Sequence, residues 1–397
     1  MRIAFFSDNF YPEISGISDS IITLGETLAA RGHAIAYVGP KYSTKDYARA
    51  KRSKEPQELE QFAIKRIPSI RFPGGSPTGQ GRIALPFGFS KKFIEEFKPD
   101  IIHVQSPYGL GIEALMTARK FHIPFVGTNH TPVEDFMSYS PIRGNAVVKA
   151  VCRYVSWYYN HCQYITTPSN DLLNTMRTQG LKIDGRAQPN PLELKDFNPA
   201  PADEKQELKT GFGFSGPVIL YSGRLAPEKH VDVIIRSLVH VVSQRPDTKL
   251  VVTGHGSAEL ELRKLAKNLH LENNVVFAGF VEKPRLIQLY KATDIFVIMS
   301  TAETQSLSLM QAFASAVPAC AANARAFKEY VPPECGFLIE PGDDTALASK
   351  LKYLLDNDSV RENMGKAGVH FVEQFSTHIV ADAWEKIYSE AIHGKTT

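Results

Sequence analysis

The feature that most limits this fold is an alternation of short apolar runs with longer amphipathic segments, met once on each side of the stretch PNPLELKDFNP at residues 189–199. Runs of four to seven mostly apolar residues, bounded by glycine or polar residues, read as buried strands of a parallel sheet, and the segments between them as crossover helices. In the first half, residues 2–7 form such a run. A loop with proline and glycine, YPEISG at 11–16, follows, and Ile21, Leu24 and Leu28 then repeat at helical spacing over 17–31, with Gly32 as terminator. A strand at 34–39 completes a βαβ unit. Further strands are expected at 101–104, 125–128 and 164–167, with helices such as 111–120 between them.

The proline- and asparagine-rich stretch marks a linker. After it the alternation restarts, with strands expected at 218–221, 249–253, 275–277, 295–299, 319–321 and 336–339. The expected architecture is α/β: two Rossmann-like, doubly wound domains at 1–190 and 201–375, joined by a linker at 191–200. A last helix within 376–397, carrying Trp384 and Tyr388, is expected to pack back on the first domain. Open parallel sheets bind ligands beyond the carboxyl ends of their strands, so two such domains facing a cleft present one ligand from each side.

The opening run MRIAFF is followed at once by Ser7 and Asp8, and no run approaches the roughly 18 apolar residues of a spanning helix, so neither a signal peptide nor a membrane span is expected. Cys152, Cys162, Cys320 and Cys335 show no Cys-x-x-Cys spacing and read as buried, reduced thiols of a cytoplasmic protein. Charge is uneven: residues 1–200 carry 24 Lys and Arg against 18 Asp and Glu, whereas the remainder carries 21 against 24. Within the basic half, residues 61–94 hold Lys65, Arg66, Arg71, Arg82, Lys91 and Lys92 and no acid. Such a stretch suits an anionic surface, lipid or nucleic acid, although scattered cations are more often a solvated loop face.

Four strand ends of the second domain carry chemistry. In YSGRLAPEKH, residues 221–230, Gly223 permits a sharp turn after the strand, and a helix is expected to start near His230. Its unpaired N–H groups, with Arg224 and Lys229 beside them, suit a diphosphate better than any other ligand; as a bland alternative both are surface cations. TGHG at 253–256 begins a dinucleotide fingerprint, but Glu259 stands where the third glycine belongs, so it argues only weakly for a nicotinamide cofactor. Gly279, Phe280 and Val281 end another strand. In TAETQSLSLMQAF, 301–313, Leu307, Met310 and Phe313 repeat at helical spacing, and Glu303 is expected to open that helix with its carboxylate beside the first N–H groups.

In the first domain, Gly16 ends the first loop and His130 follows a strand within GTNHTPVEDF. A lone histidine is usually a satisfied polar residue, but one at a strand end is better placed than most. His130, Glu134 and Asp135 lack a second ligand cluster, so no metal site is expected there. Asp356, Asn357 and Asp358 read as a turn and helix cap between two helices.

Taken in order, PEISGI, DIIHVQSP, TNHT, YSGRLAPEKHVD, TGHG, FAGFV, DIFVIMSTAETQSLSLMQAFAS and CGFLIEPGD resemble the retaining glycosyltransferases of family 4, which have the GT-B fold; the likeness runs from residue 1 to about 390. His130, Glu134, Asp135, Phe136 and Tyr139, with ETQ at 303–305, are most similar to the bacterial diacylglycerol glucosyltransferases within that family. The resemblance implies an acceptor-side first domain and a nucleotide-sugar-binding second one. Arg224 and Lys229 would hold the donor diphosphate, and Gly16 would let the first loop approach it. Glu303 would accept from donor sugar hydroxyls, with the backbone of Thr304, Gln305, Ser306 and Leu307 helping on sugar and phosphate. The backbone at Phe280 and Val281 would bind the base, Gly254 would lie beside the donor, and His130 would line the sugar site from the opposite domain.

By the same resemblance the reaction is metal-independent transfer of a hexose, glucose first, from a nucleotide sugar to a lipid acceptor such as diacylglycerol. A UDP-sugar is favoured over a GDP-sugar. No cofactor and no nucleic acid are implied, and the protein is expected as a cytoplasmic, peripheral one at the inner face of the cell membrane, held there by its basic N-terminal domain. Two departures matter. The family's acidic pair is Glu, seven residues, Glu, and here Gln311 takes the second place, where the carboxylate binds the ribose diol. Ser306 and Ala316 stand where glycines are usual, adding side chains near the donor. The alternatives are a soluble sugar or polysaccharide acceptor, or a weakened or non-catalytic sugar-nucleotide-binding relative.

Overall fold

The computed structural model describes residues 1–13, 15–50, 52, 54, 59–71, 81–134, 144–193 and 195–394. The chain divides into two compact units, one of Met1–Pro191 with Thr377–Thr397, the other Leu192–Ser376. Residues 192–200 therefore belong to the second unit.

The first unit is built on a seven-stranded parallel sheet. Its strands are β1 (Arg2–Phe6), β2 (Ala34–Pro40), β3 (Ala63–Ile67), β6 (Ile101–Val104), β7 (Phe125–Thr128), β8 (Tyr164–Thr167) and β9 (Gly185–Ala187), while β4 (Ser69–Arg71) and β5 (Arg82–Ala84) form a separate antiparallel hairpin. Sheet order is β3-β2-β1-β6-β7-β8-β9. Side chains alternate across it as a period of two requires. Ala4, Phe6, Ala36, Val38, Ile102 and Val104 enter one core, and Ile3, Phe5, Ile35, Tyr37, Ile101 and Val126 the other. The second core is closed by the helix Thr377–His393, which contributes Val380, Trp384, Ile387 and Tyr388. Arg31 fastens that helix through Asp382 at 2.6 Å and Glu385 at 2.8 Å.

The second unit has a six-stranded parallel sheet of β10 (Val218–Ser222), β11 (Lys249–Thr253), β12 (Val275–Gly279), β13 (Ile295–Ile298), β14 (Ala319–Ala322) and β15 (Gly336–Ile339). Its order is β12-β11-β10-β13-β14-β15. Helix Ala202–Gly211 is anchored by Asp294, which sits just before β13 and accepts from Lys209 at 2.6 Å and from the Val218 N–H at 2.8 Å. In both sheets the order reverses direction at one place, between β1 and β6 and between β10 and β13. Such switch points are where loops after adjacent strands diverge and leave room for a ligand.

The edge strands β3 and β9 and the hairpin lay outside the sequence expectation. Lys65 and Arg66 interrupt the apolar run in β3, and charges of this kind are characteristic of exposed sheet edges. The basic stretch 61–94 is also less available than its composition suggests. Arg66 turns inward to donate to the Tyr11 and Pro40 carbonyls at 2.7 and 3.3 Å, and Arg82 donates to Asp46 through Nε at 3.1 Å. Residues 72–80 of that stretch lie outside the described residues. All four cysteines are free and buried. No helix among the described residues is long and apolar enough to cross a membrane.

Candidate functional site

The switch point of the second unit brings together residues 74 positions apart in the chain. After β10 the chain makes a short 3-10 turn, Pro227–Lys229, and His230 takes a left-handed conformation, φ 47°, to start helix Val231–Val242. This geometry carries the Lys229 side chain back over the strand ends. Its ammonium lies 2.6 Å from Glu303 Oε1 and 3.4 Å from Ser300 Oγ, both in the segment after β13. The pair is largely buried, with side-chain exposures of 11% for Lys229 and 14% for Glu303. The Thr301 N–H donates to the Glu228 carbonyl at 3.2 Å and ties the two loops together. Arg224 is more open and faces Glu228 at 3.6 Å.

Glu303 does not open the following helix. That helix is Leu307–Ala314, and its N-cap is Ser306, whose hydroxyl accepts from the Leu309 N–H at 3.3 Å. Ser is a preferred cap because its oxygen satisfies a first-turn donor, a role a glycine here would leave to other groups. Glu303 instead sits in the loop three residues before the cap, where it meets Lys229. Gln311 lies within the helix and is partly buried. Ala316 is not beside the Glu303 end. It follows the helix at its far end in a left-handed conformation, φ 57°, about 12 Å away along an eight-residue helix.

TGHG at 253–256 has a structural reason unrelated to a dinucleotide fingerprint. A Cβ on Gly254, φ 98°, would lie 2.0 Å from the Gly223 carbonyl oxygen, and one on Gly256 would lie 2.1 Å from that of Leu225. Both glycines let the loop after β11 press against the loop that carries Arg224. The next strand end is stapled on in turn. The Gly254 N–H donates to the Gly279 carbonyl at 2.7 Å, and the Phe280 N–H donates to His255 Nε2 at 3.2 Å. An accepting Nε2 places the His255 proton on Nδ1, which faces Glu259 at 3.0 Å. Hydrogen bonds from His255 and Arg263 hold the Glu259 carboxyl below its usual range. The Phe280 N–H is thus already engaged, and the ring of Phe280 is half exposed. Sequence reading missed this staple because a histidine between two glycines carries no pattern of its own.

In the first unit, His130 is buried at the end of β7. Its Nε2 lies 2.7 Å from Gln105 Oε1, which can only accept, so Nε2 carries a proton. Burial pushes its pKa down to about 4, which keeps the ring neutral at pH 7. Behind it His103 bridges Tyr388 at 2.8 Å and Thr128 at 2.7 Å. Gly16 is the first residue of helix Gly16–Ala30, which Ser15 caps by accepting from Ser18. Asp135, Phe136 and Tyr139 lie outside the described residues. Asn357 joins helices Asp344–Asp356 and Asp358–Val372 as the C-cap of the first and the N-cap residue of the second, as expected of a turn and cap, and its side chain donates to the Tyr353 carbonyl at 2.7 Å in the last turn of the first helix. Among the described residues no group of three or more His, Cys, Asp or Glu is arranged to hold a metal ion.

Known proteins resemble both units. A family model described as Glycosyltransferase Family 4 matches residues 14–196, and one described as Glycosyl transferases group 1 matches residues 203–371. An alpha-monoglucosyldiacylglycerol synthase of Streptococcus pneumoniae is 29% identical over 81% of this chain and 71% of its own length. A protein of the same name from Acholeplasma laidlawii is 25% identical over 99% of this chain and 98% of its own. A GDP-mannose-dependent alpha-mannosyltransferase of Mycobacterium tuberculosis is 25% identical over 100% and 98%. Among solved structures, Anabaena Alr3699/HepE in complex with UDP superposes with a TM-score of 0.78 at 16% identity, covering 98% of this chain and 100% of its own, which speaks to the fold.

Proposed function

The chain belongs to the family 4 glycosyltransferases of GT-B fold, and from that premise we propose that it is a retaining, metal-independent hexosyltransferase that moves glucose from a nucleotide sugar to a lipid acceptor such as diacylglycerol, working as a peripheral protein at the cytoplasmic face of the cell membrane. The observation that carries the donor half is the Lys229–Glu303 pair at the β10/β13 switch point. Lys229 supplies a positive charge and Glu303 a set of acceptor lone pairs, the two chemistries that a sugar diphosphate needs side by side. Without donor each neutralises the other. With donor, the diphosphate takes Lys229 and Arg224, and the sugar hydroxyls take Glu303. Departure of the nucleoside diphosphate builds negative charge on the leaving oxygen, which these cations and the N-terminus of helix Val231–Val242 stabilise.

Around this centre, Gly254 lets the loop that carries Arg224 sit where the donor needs it, and the backbone of Thr304, Gln305, Ser306 and Leu307 adds contacts to sugar and phosphate. The base contact passes to the Phe280 carbonyl and the backbone of Val281, since the Phe280 N–H serves His255. Within the first unit, neutral His130 offers hydrogen bonds at the end of β7, and Gly16 opens the first helix. The lipid acceptor is supported by the two relatives named for diacylglycerol. UDP-glucose is the first donor to test and GDP-mannose the second, because a mannosyltransferase named for that donor also matches over full length.

Gln311 favours a second reading, a relative that binds sugar nucleotides weakly or without turnover. An amide offers the ribose diol one acceptor where a carboxylate accepts charge-assisted bonds from both hydroxyls. Gln311→Glu is therefore expected to tighten donor binding by about 1 kcal/mol, roughly fivefold in Kd. Turnover at saturating donor should barely change, because the ribose lies away from the reacting carbon. Calorimetry with UDP-glucose and GDP-mannose on both proteins tests this. If neither protein binds either nucleotide sugar, the transferase reading fails.

A further inference from the structure

Strand β10 carries a polar group that the sheet does not need. Tyr221 is fully buried and shares the core of the second unit with Ile219, Leu220 and Val252. A phenylalanine would fill the same space without bringing a hydroxyl that burial obliges to find a partner. The Tyr221 hydroxyl finds one outside the sheet, donating to the Arg224 carbonyl at 2.7 Å across the turn at Gly223. A Cβ on residue 223 would lie 3.1 Å from that hydroxyl oxygen, so the glycine leaves room for the bond as well as for the turn. Burial, and after it the Glu303 carboxylate, hold the phenol above its usual range, so the hydroxyl keeps its proton and stays a donor.

The neighbouring peptides of that loop are pinned as well. The Gly223 N–H donates to the Thr253 carbonyl at 3.4 Å and the Leu225 N–H to the His255 carbonyl at 3.0 Å, while the Ala258 N–H returns to the Leu225 carbonyl at 2.9 Å. Residues 223 and 225 are thus fixed to the loop after β11, and residue 224 between them to Tyr221. The Arg224 side chain, 37% exposed, extends from this fixed backbone and faces Glu228 at 3.6 Å. A guanidinium presented from a fixed peptide loses less freedom on gripping phosphate and needs no reorganisation at the moment of reaction. As a purely structural contact, the Tyr221 bond would contribute one ordinary neutral hydrogen bond to the fold and nothing to a ligand. Two observations favour more: the bond is made to the backbone of the cation itself, and the hydroxyl lies within electrostatic reach of Glu303, Arg224 and Glu228 together.

We propose that Tyr221 is a positioning residue of the donor site: its hydroxyl holds the Arg224 peptide so that the guanidinium is presented to the donor diphosphate. This role rests on the donor site of the proposed function and adds to it a residue that the diphosphate does not touch. It also gives TGHG a task, since Thr253 and His255 supply the other two fixed points.

Calorimetry with UDP and with GDP on the full chain tests it. Tyr221→Phe is expected to weaken binding of the tighter nucleotide about five- to tenfold, and to raise KM for the corresponding nucleotide sugar by a similar factor. In an Arg224→Ala background the same change should cost less than about twofold, because the group that the hydroxyl positions is then missing. Tyr158→Phe supplies the comparison: Tyr158 is fully buried in the first unit, and its hydroxyl donates to the Gly111 carbonyl at 2.7 Å. Its loss should lower Tm by roughly 2–4 °C, as should loss of the Tyr221 hydroxyl, yet leave nucleotide affinity within about twofold. Unchanged nucleotide affinity in Tyr221→Phe, or a loss as large with Arg224→Ala as without it, would overturn the positioning role and leave the donor site standing. Failure of the unaltered chain to bind either nucleotide would overturn the donor site itself, and this role with it.

Discussion

Replacing Lys229 by alanine is expected to lower kcat/KM for the nucleotide sugar by about 10²–10³, or roughly 3–4 kcal/mol of transition-state stabilisation, the usual consequence of removing one preorganised charge from a leaving-group site. Most of the loss should fall on kcat, because charge on the leaving oxygen grows toward the transition state. The substitution also leaves Glu303, with a side chain only 14% exposed, without its 2.6 Å partner. Some loss of stability accompanies it for that reason. Glu303→Gln in the Lys229→Ala background removes the stranded carboxylate and separates the two effects. Thermal stability should recover in the double variant, while turnover should not. Recovery of turnover would mean that Lys229 merely neutralises Glu303 and that the diphosphate is held elsewhere.

The second large effect is expected at Gly254. Gly254→Ala would place a methyl group 2.0 Å from the Gly223 carbonyl oxygen, at a φ of 98° that alanine rarely adopts. Backbone is the obstacle here, so the strain cannot be relieved by turning a side chain. A cost of about 2–4 kcal/mol is expected, which for a unit of this size lowers Tm by roughly 5–15 °C. The strand-end loop that carries Arg224 must move away, so donor affinity should fall with stability. A variant that keeps its Tm but loses donor binding would place Gly254 against the ligand itself. A variant that keeps both would show that the two loops are not held against each other as described.

How much of this was legible beforehand follows from which forces act locally. Strands at 101–104, 125–128, 164–167, 249–253 and 336–339 coincide with β6, β7, β8, β11 and β15 because short, mostly apolar runs bounded by glycine, proline or polar residues are the local mark of strands in a parallel sheet. The helix ending near Gly32 was readable for a similar local reason, since Gly32 takes φ 89°. Glu303 was misplaced onto the helix because spacing shows where a helix continues but not where it begins, and the cap is decided by the Ser306 hydroxyl. The pairing of Lys229 with Glu303 and of His255 with the Phe280 N–H joins loops after different strands. Both depend on sheet order, which no local pattern contains. Arg66 looked like surface charge for the same reason: its carbonyl partners, Pro40 at the end of β2 and Tyr11 in the first loop, lie 26 and 55 residues away.

The proposed reaction is retaining transfer of glucose from a nucleotide sugar to a lipid, through cations rather than a metal ion. Its most direct test is incubation of the full chain with UDP-glucose and diacylglycerol in mixed anionic vesicles, with and without EDTA, and assignment of the product's anomeric linkage by NMR. An α-linked glucosyl lipid, formed at the same rate in EDTA, is the predicted result. A β-linked product, a rate abolished by EDTA and restored by manganese or magnesium, or transfer only to a soluble sugar would contradict it.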